Sequence, residues 1–125
     1  MKRALPQQLI VLQSAARTAS VNSSTFPNTQ GHRGLHLIID ATASADTPSV
    51  VFTVQGYSPL GNDFYTILAS AAITATGTTV LRVYPGLAAS ANVSVSDCLP
   101  HLWRVLATHA DGDSITYSVA ATLLP

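Results

Sequence analysis

Residues Ser49–Ala72 read SVVFTVQGY, SPLGND and FYTILASAA in succession, and this stretch decides the fold. In Ser49–Tyr57, Val50, Phe52 and Val54 fall on one side of an extended chain, with Val51, Thr53 and Gln55 on the other. Alternation at period two, carried by β-branched and aromatic residues, marks a strand with one face in a core. Ser58–Asp63 collects Ser, Pro, Gly, Asn and Asp into a turn, and Phe64–Ala72 returns as the partner strand.

The same grammar extends outward. Gly34–Ala41 alternates Leu35, Leu37 and Ile39 against His36, Ile38 and Asp40. Thr76–Thr78 turns the chain, and Thr79–Tyr84 is a strand stopped by Pro85-Gly86. Leu87–Val95 is ambiguous, its alanines favouring helix and its Asn and Val favouring loop and short strand. Leu102–Thr108 points Trp103, Val105 and Ala107 inward, and Asp111-Gly112 reads as a hairpin turn. Ser114–Leu124 is the last strand, where Ile115, Tyr117, Val119, Ala121 and Leu123 alternate with Thr116, Ser118, Ala120 and Thr122. Seven or eight short strands between turns predict an all-β chain, an antiparallel β-sandwich or jelly roll. Its boundaries are set at 34–125. Residues 1–33 are read as an N-terminal arm and polar loop, with Gln8–Ser14 suited to a sheet edge or a partner surface.

Composition narrows the function. At 125 residues and 13.0 kDa there is room for one domain. Charged residues are 10%, with six basic and six acidic side chains, all the acids Asp. A neutral chain with 47% apolar residues is unlike a disordered one, and unlike a nucleic-acid binder working through a basic patch. A charge-poor surface favours association. The apolar run Leu9–Leu12 is too short for a signal h-region, and no stretch is long enough for a membrane helix.

Chemistry-bearing motifs are weak. The four histidines come as His32/His36 and His101/His109; a spacing of four, as in His32/His36, would suit one helical turn, yet that pair runs into a strand, where four residues span about 13 Å, too far for one metal. Asp111-Gly112-Asp113 lacks the Glu that closes a calcium loop. There is no G-x-S-x-G, G-x-G-x-x-G or P-loop. Cys98, the single cysteine, reads as a buried structural thiol, and Trp103 as the core anchor. The expectation is a protein without catalytic residues, metal or cofactor.

The run DTPSVVFTVQGYSPLGNDFYTILASAAITATGTTVLRVYPGL, continued by LPHLWRVLATHADGDSITYSVAATLL, resembles small structural proteins of tailed bacteriophages, of the capsid decoration (cement) type. The resemblance covers residues 34–124 and is one of pattern. It implies a sandwich on the outside of the virion that bridges neighbouring subunits of the major capsid protein, after synthesis in the host cytoplasm. Alternatives are a neck, tail or baseplate protein of the same fold, or a virion-displayed carbohydrate-binding module using Trp103, Tyr57, Tyr65 or Tyr84. Candidate partner-binding residues are Leu9, Ile10, Val11, Leu12 and Phe26 as apolar anchors, and Arg82 and Arg104 as outward cations. Self-association as a dimer is expected; nucleic acid and membrane are not expected as partners.

Overall fold

A long antiparallel ribbon, wound on itself, organises the computed structural model, which describes residues 5–125. The ribbon's tip is the hairpin of β5 (Val50–Ser58) and β6 (Asp63–Ala69). Around it, β4 (Gly34–Ser44) pairs with β7 (Gly77–Val83). Next out, β2 (Val21–Asn22) and β3 (Phe26–Pro27) pair with β9 (Leu102–His109). Outermost, β1 (Gln7–Arg17) pairs with β10 (Ile115–Leu124). Winding then joins β10 to β4 and β9 to β5. The result is two sheets, β1-β10-β4-β7 with a two-residue parallel addition β8 (Ser94–Val95), and β2/β3-β9-β5-β6. This is a jelly roll of two four-stranded layers.

The apolar face of each alternating strand forms the core. Leu35, Leu37, Ile39, Val50, Phe52, Val54, Trp103, Val105, Ile115 and Tyr117 are all fully buried. Phe52 and Tyr117 meet edge to face, with centroids 4.9 Å apart, and so couple the two sheets. Gly34 is dictated by packing: a Cβ there would collide with the Val83 carbonyl oxygen of the paired strand. Asn62, at a left-handed φ of 55°, closes the β5–β6 turn.

Four expectations are corrected. Residues 7–33 are not an arm beside the sandwich. Gln7–Arg17 is the edge strand of the first sheet, the first of the two placements read for Gln8–Ser14, and residues 21–27 edge the second, so the domain reaches well before residue 34. Residues 1–4 lie outside the described part. Asp111-Gly112 joins strands of different sheets and makes no hairpin; Asp113 instead accepts hydrogen bonds from Thr47 N and Oγ1, both 3.2 Å, tying two crossing loops together. The strand after the first hairpin stops at Ala69, since Ser70 turns back to bond β5: Ser70 N donates to Phe52 O at 2.8 Å, and Phe52 N to Ser70 Oγ at 2.9 Å. Cys98 is exposed, because the buried neighbour in that loop is Leu99.

Candidate interaction surface

Alternation that buries one side of each strand presents the other side to the outside, and register decides which outward residues meet. On the first sheet Ile10 lies opposite Ala120, Ala120 opposite Ile38, and Ile38 opposite Val80. Four apolar side chains from four strands therefore form one straight row, about 14 Å long at the usual strand spacing. Ile10 is 61% exposed, and the other three are half-buried. One flank of the row is Gln8, Thr122, His36 and Arg82, again in register. The other flank carries Ser118, Asp40 and Thr78, where Thr78 Oγ1 donates to Asp40 Oδ1 at 2.7 Å. Beyond the first flank lies an open hollow of about 380 Å³ between His36, Tyr84, Leu87, Leu124 and Pro125. Tyr84 Oη donates to Pro125 O at 2.7 Å and fixes its wall. An apolar centre with a polar rim that includes an arginine is the anatomy of a protein–protein contact.

Electrostatics on this face are sparse. Partial burial lowers the basicity of His36, and the Arg82 charge beside it lowers it further. The imidazole is therefore neutral at neutral pH, which leaves Arg82 as the cation of that flank.

The second sheet's outer face is different. Arg104 Nε donates to Gln55 Oε1 at 2.8 Å, and its guanidinium carbon lies 3.6 Å from the Phe64 ring centroid. The row Asn22, Leu106, Thr53 and Ala69 alternates polar with apolar. This face is occupied with its own contacts.

The seven residues proposed from sequence thus separate. Ile10 and Arg82 share the outer face of the first sheet. Arg104 is on the opposite face of the molecule. Val11 and Leu12 are core residues, 6% and 9% exposed, and are withdrawn as surface anchors. The pairing shifts between Ile10 and Leu12, a β-bulge that turns two consecutive residues inward. Leu9 faces the core side opposite Ala121, and Phe26 packs on Trp103 with centroids 5.0 Å apart; both are half-buried. Ile38, Val80 and Ala120 were not singled out from sequence, although the alternation sets Ile38 on the face opposite Leu37 and Ala120 on the face opposite Val119.

Other candidates resolve locally. Trp103 is fully buried and gives no stacking platform for a sugar. His32 is buried, with Nε2 2.7 Å from Leu5 O, whereas His36 is on the outer face. Among the described residues no group of three or more His, Cys, Asp or Glu is placed to hold a metal ion, and no helix is long and apolar enough to cross a membrane. At the far end, His109 Nε2 lies 3.0 Å from Tyr117 Oη, and Arg17 stacks on the Tyr117 ring at 4.6 Å while donating to Tyr117 O at 2.9 Å. Burial first, then the Arg17 charge, lower the His109 pKa, with Asp111 opposing. Burial raises that of Tyr117 against the pull of Arg17. No protein-family model, curated protein or solved structure matches the chain.

Proposed function

We propose that this protein is a non-enzymatic virion component, a capsid decoration protein that lies on the outer surface of a phage head and bridges neighbouring copies of the major capsid protein. The observation that carries the reading is the outward-facing apolar row Ile10, Ala120, Ile38 and Val80, edged by Arg82. A flat sheet face of this kind suits a flat protein surface and requires no chemistry. Each bound copy adds its binding free energy to the assembled shell and so opposes its opening. The jelly roll is an architecture that viral capsid domains use among others, which supports the reading by analogy. Leu60, fully exposed at the β5–β6 turn, offers a second apolar contact for a neighbouring subunit. Self-association as a two-fold dimer belongs to the same reading.

Quantitative mass spectrometry of purified particles of the encoding phage, against the major capsid protein, tests it. The expected ratio is one copy per one to a few capsid subunits, on the order of hundreds per particle. A handful of copies would move the protein to the neck, tail or baseplate, and absence from the particle would discard a virion role.

A further inference from the structure

The outer face of the first sheet carries one charge on each side of its apolar row. On one flank Arg82 lies opposite His36; on the other Asp40 lies opposite Thr78. Four residues separate the flanks along each strand, about 13 Å, with Ile38 and Val80 between them. Within one copy Arg82 and Asp40 therefore sit apart. Arg82 is exposed, and Asp40 is half-buried, its Oδ1 accepting from Thr78 Oγ1 at 2.7 Å. A cation and an anion on opposite sides of an apolar stripe can be complementary to a second copy of the same pattern.

Two different two-fold axes can lay this face on its own copy with row against row. The first runs along the row. It keeps each strand in place, reverses its direction and exchanges the flanks. Ile10, Ala120, Ile38 and Val80 then meet their own counterparts, and His36 and Arg82 come over Asp40 and Thr78 of the other copy. Each Arg82 lies one strand spacing, about 5 Å, to the side of an opposing Asp40, within reach of a long side chain. The second axis runs along the strands. It keeps the flanks and reverses the strand order, so Arg82 comes over Gln8 and Asp40 over Ser118, and neither charge meets its opposite. Charge thus selects the first axis, and does so twice, because an isologous contact repeats every pair. The strands of the two copies then run antiparallel, close to the aligned packing of stacked sheets. Three residues on each of four strands cover on the order of 400 Å² per copy, about half of what each side of a stable complex buries. A contact of that size is transient and yields to a larger surface.

We propose that this face pairs with a second copy of the chain in solution, about a two-fold axis along the apolar row, with Arg82 of each copy against Asp40 of the other. This deepens the self-association of the reading above, on which it rests, and it requires no shell. Pairing and docking use the same face, so a copy that seats on a larger surface gives up its partner.

Sedimentation equilibrium of the purified chain at low salt tests it. The expected result is a monomer–dimer equilibrium with a dissociation constant on the order of 100 μM. Arg82→Asp and Asp40→Arg each set like charges in both cross-pairs and are each expected to weaken association at least about fivefold. Mixed in equal amounts, the two variants restore both pairs with the signs exchanged, so the mixture associates more tightly than either variant alone. Ile38→Asp places a carboxylate against its own copy on the axis and is expected to leave a monomer, whereas Arg104→Ala, on the opposite face, associates as wild type does. If a charge reversal does not fold by circular dichroism, the contrast between Ile38→Asp and Arg104→Ala decides. A wild type that stays monomeric up to about 1 mM overturns the proposal. So does a dimer undiminished in folded Ile38→Asp, a charge reversal without effect, or a mixture no tighter than its separate variants. No shell enters the experiment, so its failure leaves the docking reading standing, and a failure to bind shells leaves the pairing standing.

Discussion

The two outer faces of this sandwich are made by the same rule and end differently. On the second sheet, outward Arg104 lies over Phe64 and bonds Gln55, and the neighbouring row mixes Asn22 and Thr53 with Leu106 and Ala69. On the first sheet, register brings Ile10, Ala120, Ile38 and Val80 into one uninterrupted apolar row. One face interleaves polar and apolar side chains and holds its arginine with local partners. The other sets four apolar side chains side by side. Exposure of single apolar residues is ordinary in proteins, but their alignment across four strands is what makes a surface.

The comparison is sharpest between adjacent residues of β4. Leu37 is fully buried and Ile38 half-buried on the outer face. Leu37→Ala is expected to lower stability by about 3 kcal/mol, through lost burial and the cavity left behind. Ile38→Ala should lower it by under about 1 kcal/mol, since much of that side chain is already in water. Urea denaturation of both variants checks this. Similar losses would mean that the outer row is part of the fold's own packing and is not a free docking face.

The arginines give a smaller contrast. Arg104→Ala is expected to lower stability by about 1 kcal/mol, from the lost ring contact and the hydrogen bond to Gln55. Arg82→Ala should leave the thermal midpoint nearly unchanged, because Arg82 is exposed. A larger loss for Arg82 than for Arg104 would reverse the assignment of the occupied and available faces.

The smallest effect is on pH. His36 and His109 both have a lowered pKa in the fold, from burial first and neighbouring arginines second. The unfolded chain therefore takes up protons first. Stability is full above the ordinary imidazole value of 6.5, falls as pH drops from there through the folded pKa, and levels once the folded imidazoles are protonated. His36→Gln and His109→Gln are each expected to flatten part of that decline when urea midpoints are compared between about pH 7.5 and about pH 5. A decline unchanged in both variants would assign it to other groups.

Much of the layer pattern was legible in the chain, and the reason is local. Alternation in β4, β5 and β10 grouped Leu37, Phe52 and Tyr117 with the apolar face of their strands, and in β9 it read Trp103 as inward, before any pairing was known. Pairing itself was not legible. In a wound ribbon Gln7 meets Leu123, and nothing in either neighbourhood says so. Asp111-Gly112 has the chemistry of a tight turn, but turn chemistry does not report whether the flanking strands pair; here they enter different sheets. Val11 and Leu12 misled because a bulge breaks the period-two rule at that point. The docking row was half legible. The outward parity of Ile38 could be read, whereas its alignment with positions 10, 80 and 120 depends on the register of three separate strand pairs.

The most direct test is co-sedimentation of purified protein with phage shells stripped of it, comparing wild type with Ile38→Asp and Arg104→Ala. A carboxylate in the middle of the apolar row is expected to weaken binding by at least about 30-fold, the effect of losing a central hot spot, while Arg104→Ala binds as wild type does. Undiminished binding by a folded Ile38→Asp variant would contradict the claim that this face holds the protein to its partner.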